Sequence, residues 1–172
     1  FLGIDIDIKN VPSLDKGFIP LGLFNRAFLK TATKPIKIAV ERNAGYVSVY
    51  ETKIHGTEEM KDADNFFIER YVKFVLWAIG GYKVYICGDK NIYEFIKNEY
   101  SKEGKRAFDN GFMSRVYETE FEVIYKELSE CPEEKSAAKS VGGSFEGCRI
   151  GFDAGGSDRK VSAVVNGETV YS

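Results

Sequence analysis

The residues best suited to chemistry in this 172-residue sequence stand together between two apolar stretches, Ile150 to Phe152 and Val161 to Val165. The run between them reads Asp153-Ala154-Gly155-Gly156-Ser157-Asp158-Arg159-Lys160. Gly155 and Gly156 have no side chains, so a triphosphate can come close to the backbone and accept its N–H groups. The Ser157 hydroxyl and the Lys160 ammonium add a donor and a charge. Asp153 is placed to coordinate Mg²⁺ directly or through water. A strand ending in an acid, a Gly-Gly-Ser turn, a second strand and an Asn166-Gly167 turn into Glu168 to Tyr171 predict consecutive antiparallel strands.

The segment Ile150-Gly151-Phe152-Asp153-Ala154-Gly155-Gly156-Ser157-Asp158-Arg159-Lys160 resembles the first phosphate motif of the ROK sugar kinases and regulators. These belong to the larger group that contains actin, hexokinase and the Hsp70 ATPase. Their motif runs acid, any residue, Gly, Gly, Thr or Ser, two further residues and a basic or polar one. The resemblance covers residues 148–172 and implies that Asp153, Gly155, Gly156, Ser157 and Lys160 line the phosphates of ATP, with Mg²⁺ at Asp153. Asp158 departs from the pattern, since an uncharged residue is common there. A carboxylate beside phosphates repels them unless Arg159 or Mg²⁺ compensates.

Kinases of this family also use a catalytic Asp on a later segment, a second phosphate loop, an adenosine loop and commonly a zinc site. None of these follows in the sequence, which starts at Phe1 and stops at Ser172. The resemblance therefore implies an N-terminal fragment of an ATP-dependent carbohydrate kinase, inactive by itself and without a catalytic residue of its own, because half a phosphate clamp supplies little of the positioning that phosphoryl transfer needs. The alternative is a non-catalytic regulatory module that binds a ligand or a partner and carries an ATPase-like fold. Regulators of the family place a winged helix-turn-helix ahead of that fold, and no such basic helical pattern is present.

Elsewhere the reactive residue types have plainer readings. His55 is the single histidine, and as a lone His it is expected to be a surface or packed residue with no ligand role. Glu58, Glu59, Asp62 and Asp64 precede a predicted helix whose N-terminus favours negative charge, so they are read as capping. Phe66, Phe67, Tyr71, Phe74 and Trp77 recur on an amphipathic helix and are assigned to the core. Arg106, Asp109 and Arg115 are read as a solvated helix face. Cys87, Cys131 and Cys148 form no Cys-x-x-Cys pair and are expected to be free thiols in a reducing cytoplasm.

The elements that hold the motif follow from periodicity. Leu2, Ile4, Ile6 and Ile8 alternate with polar or small residues and predict a strand, and Pro20 to Lys30 a helix. Ile36 to Glu41 and Tyr46 to Ile54 form a predicted hairpin around Asn43-Ala44-Gly45. Ala63 to Ile79 is the strongest helix pattern, ended by Gly80 and Gly81. Tyr82 to Cys87 predicts a strand, Asn91 to Tyr100 a helix capped by Asp89, Gly104 to Tyr117 a second helical stretch and Phe121 to Leu128 another strand. This order gives an α/β fold with a mixed sheet flanked by helices over residues 1–128, a flexible linker over 129–147, and over 148–172 the β-hairpin that would open an actin-like ATPase domain.

With 44% hydrophobic and 29% charged residues the chain suits a globular protein rather than a disordered one. A net charge of −2 offers no global attraction to nucleic acid or to anionic lipid. No apolar run reaches the roughly 20 residues needed to cross a bilayer, so a soluble cytoplasmic protein without a membrane partner is expected. An antiparallel hairpin with open edges needs cover, which predicts that Ile150 to Tyr171 docks on the first domain or pairs with a second copy of the chain.

Overall fold

Ile36, Ile38 and Val40 are fully buried and share one face of a strand by simple alternation, and the first part of the molecule is built around them. The structure is a computed structural model that describes residues 1–136 and 146–172. The chain divides after Ser136 into two compact units, Phe1–Ser136 and Ala137–Ser172.

In the first unit, α1 (Leu21–Thr31) leads into β1 (Lys34–Arg42). Pro20 stands at the N-cap of α1, where its missing N–H leaves no helical hydrogen bond unmade. A 3₁₀ turn at Asn43–Gly45, with Ala44 at φ 61°, reverses the chain into β2 (Tyr46–Ile54). The two strands pair antiparallel from Lys34↔Ile54 to Arg42↔Tyr46. Helix α2 (Lys61–Ile79) follows and ends at Gly80, whose φ of 74° is open to glycine at little cost. A side chain at Gly80 would also run into the Tyr117 hydroxyl.

Next come β3 (Lys83–Cys87), α3 (Lys90–Glu99), α4 (Ala107–Tyr117) and β4 (Glu122–Lys126). β3 pairs antiparallel with β1 and parallel with β4, giving the mixed sheet order β2-β1-β3-β4. The α3–α4 pair is the long crossover that two parallel strands require. The sheet face carrying Ile36, Ile38, Val40, Val84 and Ile86 joins residues of all four helices in one apolar cluster, including Phe24, Phe28, Ile68, Val72, Ile96 and Met113. The α/β class with a mixed sheet and helices read from the sequence is the fold observed.

Three local expectations are corrected. Residues 2–8 form no strand. Leu2 and Gly3 take φ of 50° and 77°, and Ile4 N–H donates to Phe1 O at 2.9 Å, which is a turn. Ile4 is buried and Leu2 and Ile6 pack against the core, so the alternation reports inward side chains without a neighbouring strand edge to pair with. α4 begins at Ala107, because residues 101–106 are taken up by turns that bring Arg106 N–H back to Glu99 O at 2.8 Å. Within the expected linker, Lys135 is bound to Val47 by a bridge with both N–H···O bonds made, so residues up to 136 belong to the first unit. Residues 137–145 of that linker lie outside the described residues.

The second unit holds a three-stranded antiparallel sheet of β5 (Cys148–Ala154), β6 (Arg159–Val165) and β7 (Glu168–Tyr171) in that order. Asn166 and Gly167 both take positive φ, 49° and 89°, as a two-residue hairpin turn of the favoured hand requires.

Candidate phosphate-binding hairpin

Asp153 and Lys160 are direct register partners across β5 and β6, with Gly151↔Ser162 two positions further along. Cross-strand partners share a face, so the acid, the base and the serine hydroxyl stand on the same side of the sheet. Gly155 to Asp158 join the two strands beyond the Ala154↔Arg159 pair. The sequence-derived residues Asp153 and Lys160 line an open groove of about 810 Å³ together with Gly151, Arg159, Ser162 and Tyr171. Gly155, Gly156 and Ser157 do not line it and occupy the turn at its end.

The two glycines differ. A Cβ at Gly155 would come within 2.8 Å of Asp158 Oδ1 and 3.0 Å of Asp158 O, so the local need for glycine there is the return of Asp158 over the turn. A Cβ at Gly156 would meet nothing within 4 Å, and the backbone there stays open to a ligand. Lys160 Nζ lies 3.2 Å from Asp158 Oδ2, both side chains being largely exposed. The opposite face of the sheet carries Ile150, Phe152, Val161 and Val165, with Ile150 79% and Phe152 65% exposed.

The first unit holds polar arrangements that the sequence did not reveal. Asp64 is 2% exposed and accepts hydrogen bonds from His55 N–H at 2.9 Å and Gly56 N–H at 2.7 Å. Its Oδ1 also stands 2.9 Å from His55 Nδ1, while His55 Nε2 lies 2.8 Å from Thr31 Oγ1. A carboxylate only accepts, so Nδ1 carries the proton toward Asp64. Asp62 and Asp64 do lie in the first turn of α2, as the charge reading expected, but Asp64 uses its hydrogen bonds to tie the β2–α2 loop to α2, and the N-cap position, Met60, makes no side-chain capping bond. Asp89, in contrast, caps α3 through Ile92 N–H at 2.9 Å as expected, and Lys34 Nζ reaches it at 2.6 Å.

Asp109 is buried rather than solvated, and accepts from Trp77 Nε1 at 2.6 Å. Arg106 is paired with the buried Glu69, and that hydrogen bond raises its pKa further. Of the aromatic residues assigned to the core, Phe67 is buried and Phe66 and Tyr71 pack against it, but Phe74 and Trp77 are 67% and 48% exposed. Trp77 is stacked with Phe108 and Phe112 of α4, with interplanar angles of 3° and 17°. Helical spacing alone does not say how far round a helix the burial extends. Tandem acids and aromatics carry no sequence signal for partners that arrive from another element.

Among the described residues no helix is long and apolar enough to cross a membrane, and no three His, Cys, Asp or Glu side chains converge as a metal site. The geometry defines an α/β protein with a separate glycine-turn hairpin that displays an acid and a lysine side by side. No family model, curated protein or solved structure matches the chain.

Proposed function

We propose that the β5–β6 hairpin is the first phosphate-binding hairpin of a ROK-type ATP-binding domain, in a protein whose intact form transfers phosphate from ATP to a sugar in the cytoplasm. The observation that carries the reading is the Asp153↔Lys160 pair on one face, one strand pair back from a turn, Gly155 to Asp158, whose Gly156 backbone is open. Mg²⁺ takes one or two carboxylates, keeps several waters and completes its shell with phosphate oxygens. The exposed Asp153 carboxylate beside an open groove fits that donor set. Bound there, the metal would neutralise phosphate charge. Lys160 would contribute a point charge, Ser157 a hydroxyl donor, and Gly155 and Gly156 backbone N–H groups.

The reading is tested by titrating ATP with Mg²⁺ into the 172-residue chain and following backbone amides by NMR, alongside sugar-dependent ATP turnover by a longer polypeptide that contains it. Amide shifts confined to the 153–160 region, with an affinity in the roughly millimolar range, are expected from half a clamp. Silence at Gly155, Gly156 and Ser157 would remove the basis of the proposal. The apolar face of the hairpin is proposed to pair with a second copy of the chain, so hydrogen exchange over residues 150–171 is expected to slow as protein concentration rises.

A second reading is a non-catalytic module in which the first unit binds a ligand or partner. The exposed Phe74, Trp77 and Phe108 favour it, since grouped exposed aromatics mark interaction surfaces. Trp77 is the single tryptophan, so a change in its fluorescence on adding a sugar reports binding directly. Unchanged fluorescence across a panel of sugars would count against a carbohydrate ligand at that surface.

A further inference from the structure

The phosphate lysine of the hairpin is held by a carboxylate from its own turn. Asp158 Oδ2 stands 3.2 Å from Lys160 Nζ, and Asp158 Oδ1 turns back to within 2.8 Å of the position a Gly155 Cβ would take. Lys160 therefore lies between two acids, Asp153 across the strand pair and Asp158 at the end of the turn. These three side chains together carry one net negative charge. A phosphate group without a metal meets repulsion from two carboxylates and an ammonium already engaged.

A divalent cation reverses that balance. With one in place the same set becomes net positive by one charge. Asp158 then gains an attraction that competes with its hold on Lys160, and Lys160 is released toward the phosphate. On this basis, which rests on the phosphate-hairpin reading above, we infer that Asp158 is a specificity-determining residue that makes the site favour the metal complex of a polyphosphate over the free anion. Arg159 also lines the groove, but its register partner is Ala154, so its position is on the sheet face opposite Asp153 and Lys160 and it does not stand beside them as a bound cation would.

The test compares the 172-residue chain with Asp158→Asn, a substitution in an exposed turn whose effect on folding is checked by unchanged amide shifts of β5, β6 and β7 away from the turn. ATP is titrated in the presence of Mg²⁺ and, separately, in EDTA, with amide shifts at Gly156 and Lys160 as the readout. Wild-type protein is expected to bind ATP with Mg²⁺ about tenfold more tightly than free ATP, as one exposed charge a few ångströms away allows. Asp158→Asn is expected to gain affinity for free ATP until that ratio largely disappears. Raising the salt concentration should shrink the wild-type ratio, because these groups are exposed to solvent.

Equal binding with and without Mg²⁺ by the wild type, or an unchanged ratio in Asp158→Asn, overturns the inference and leaves the hairpin reading standing. Absence of binding by both proteins under both conditions overturns the hairpin reading itself, and the inference with it.

Discussion

Replacing Asp64 by alanine is expected to be among the most destabilising polar substitutions in the first unit. The carboxylate is 2% exposed and accepts from two backbone N–H groups and the His55 ring, at 2.7 to 2.9 Å. A hydrogen bond to a charged acceptor contributes about 1.5–3 kcal/mol, and a buried donor left without a partner costs about 1–3 kcal/mol. The three bonds share one acceptor and do not add in full, so Asp64→Ala is expected to cost about 3–4 kcal/mol. That is a large fraction of the roughly 5–15 kcal/mol that keeps a domain folded. Asp64→Asn keeps one oxygen for the loop amides and is expected to lose about 1–2 kcal/mol. Thr31→Val, which removes only the exposed hydroxyl next to His55 Nε2, is expected to cost less than about 1 kcal/mol. Urea unfolding followed by far-ultraviolet circular dichroism gives all three values, and the slope of the transition checks that the unfolded state is unchanged. A loss below about 1 kcal/mol in Asp64→Ala would refute the assignment of the β2–α2 loop to this carboxylate.

Tyr100 is 1% exposed and its hydroxyl makes no hydrogen bond among the described residues, so Tyr100→Phe is expected to leave thermal stability unchanged or slightly higher; a loss above about 2 kcal/mol would contradict this. Burial works to raise the pKa of Glu41, but hydrogen bonds donated by Tyr85 and Tyr82 and the charge of Lys83 outweigh it and hold the carboxyl below its ordinary value. A depressed folded-state pKa gives stability that is present above the unfolded carboxylate value and lost as pH falls through the folded one, so Glu41→Gln should flatten the acid limb of the stability profile, by about 1 kcal/mol for this partly exposed group. Thiol labelling with an aromatic disulfide should reach the exposed Cys148 first and Cys131 more slowly. Cys87 should react only on unfolding, since burial and its hydrogen bond with Cys131 push its pKa well up. Early labelling of Cys87 would show that the end of β3 opens locally.

The sequence was most legible where one local rule acts alone. Asn166-Gly167 turns because few residue pairs accept positive φ cheaply, and at Asn43 to Gly45 the glycine accepts it while Ala44 is carried into it with the turn, and both hairpins follow from these turns. Asp89 caps α3 because the side chain and the amide it accepts from are three residues apart. The pairing within the candidate hairpin was legible for the same reason: its acid, glycines and lysine lie within eight residues, and pairing across one turn brings the first and last together.

What the sequence by itself determined is therefore the α/β class, most of the helices and strands, and the composition and local pairing of the candidate site. Only the tertiary structure decided that residues 2–8 turn instead of pairing, since a strand needs an edge that no local pattern can announce. Only it decided that Asp64 and Asp109 are buried acceptors, that Phe74 and Trp77 face outward, and that Asp158 folds back onto Lys160. Each depends on which surface another segment happens to cover. Burial and hydrogen-bond partnership are properties of two segments at once, whereas periodicity and turn chemistry are properties of one.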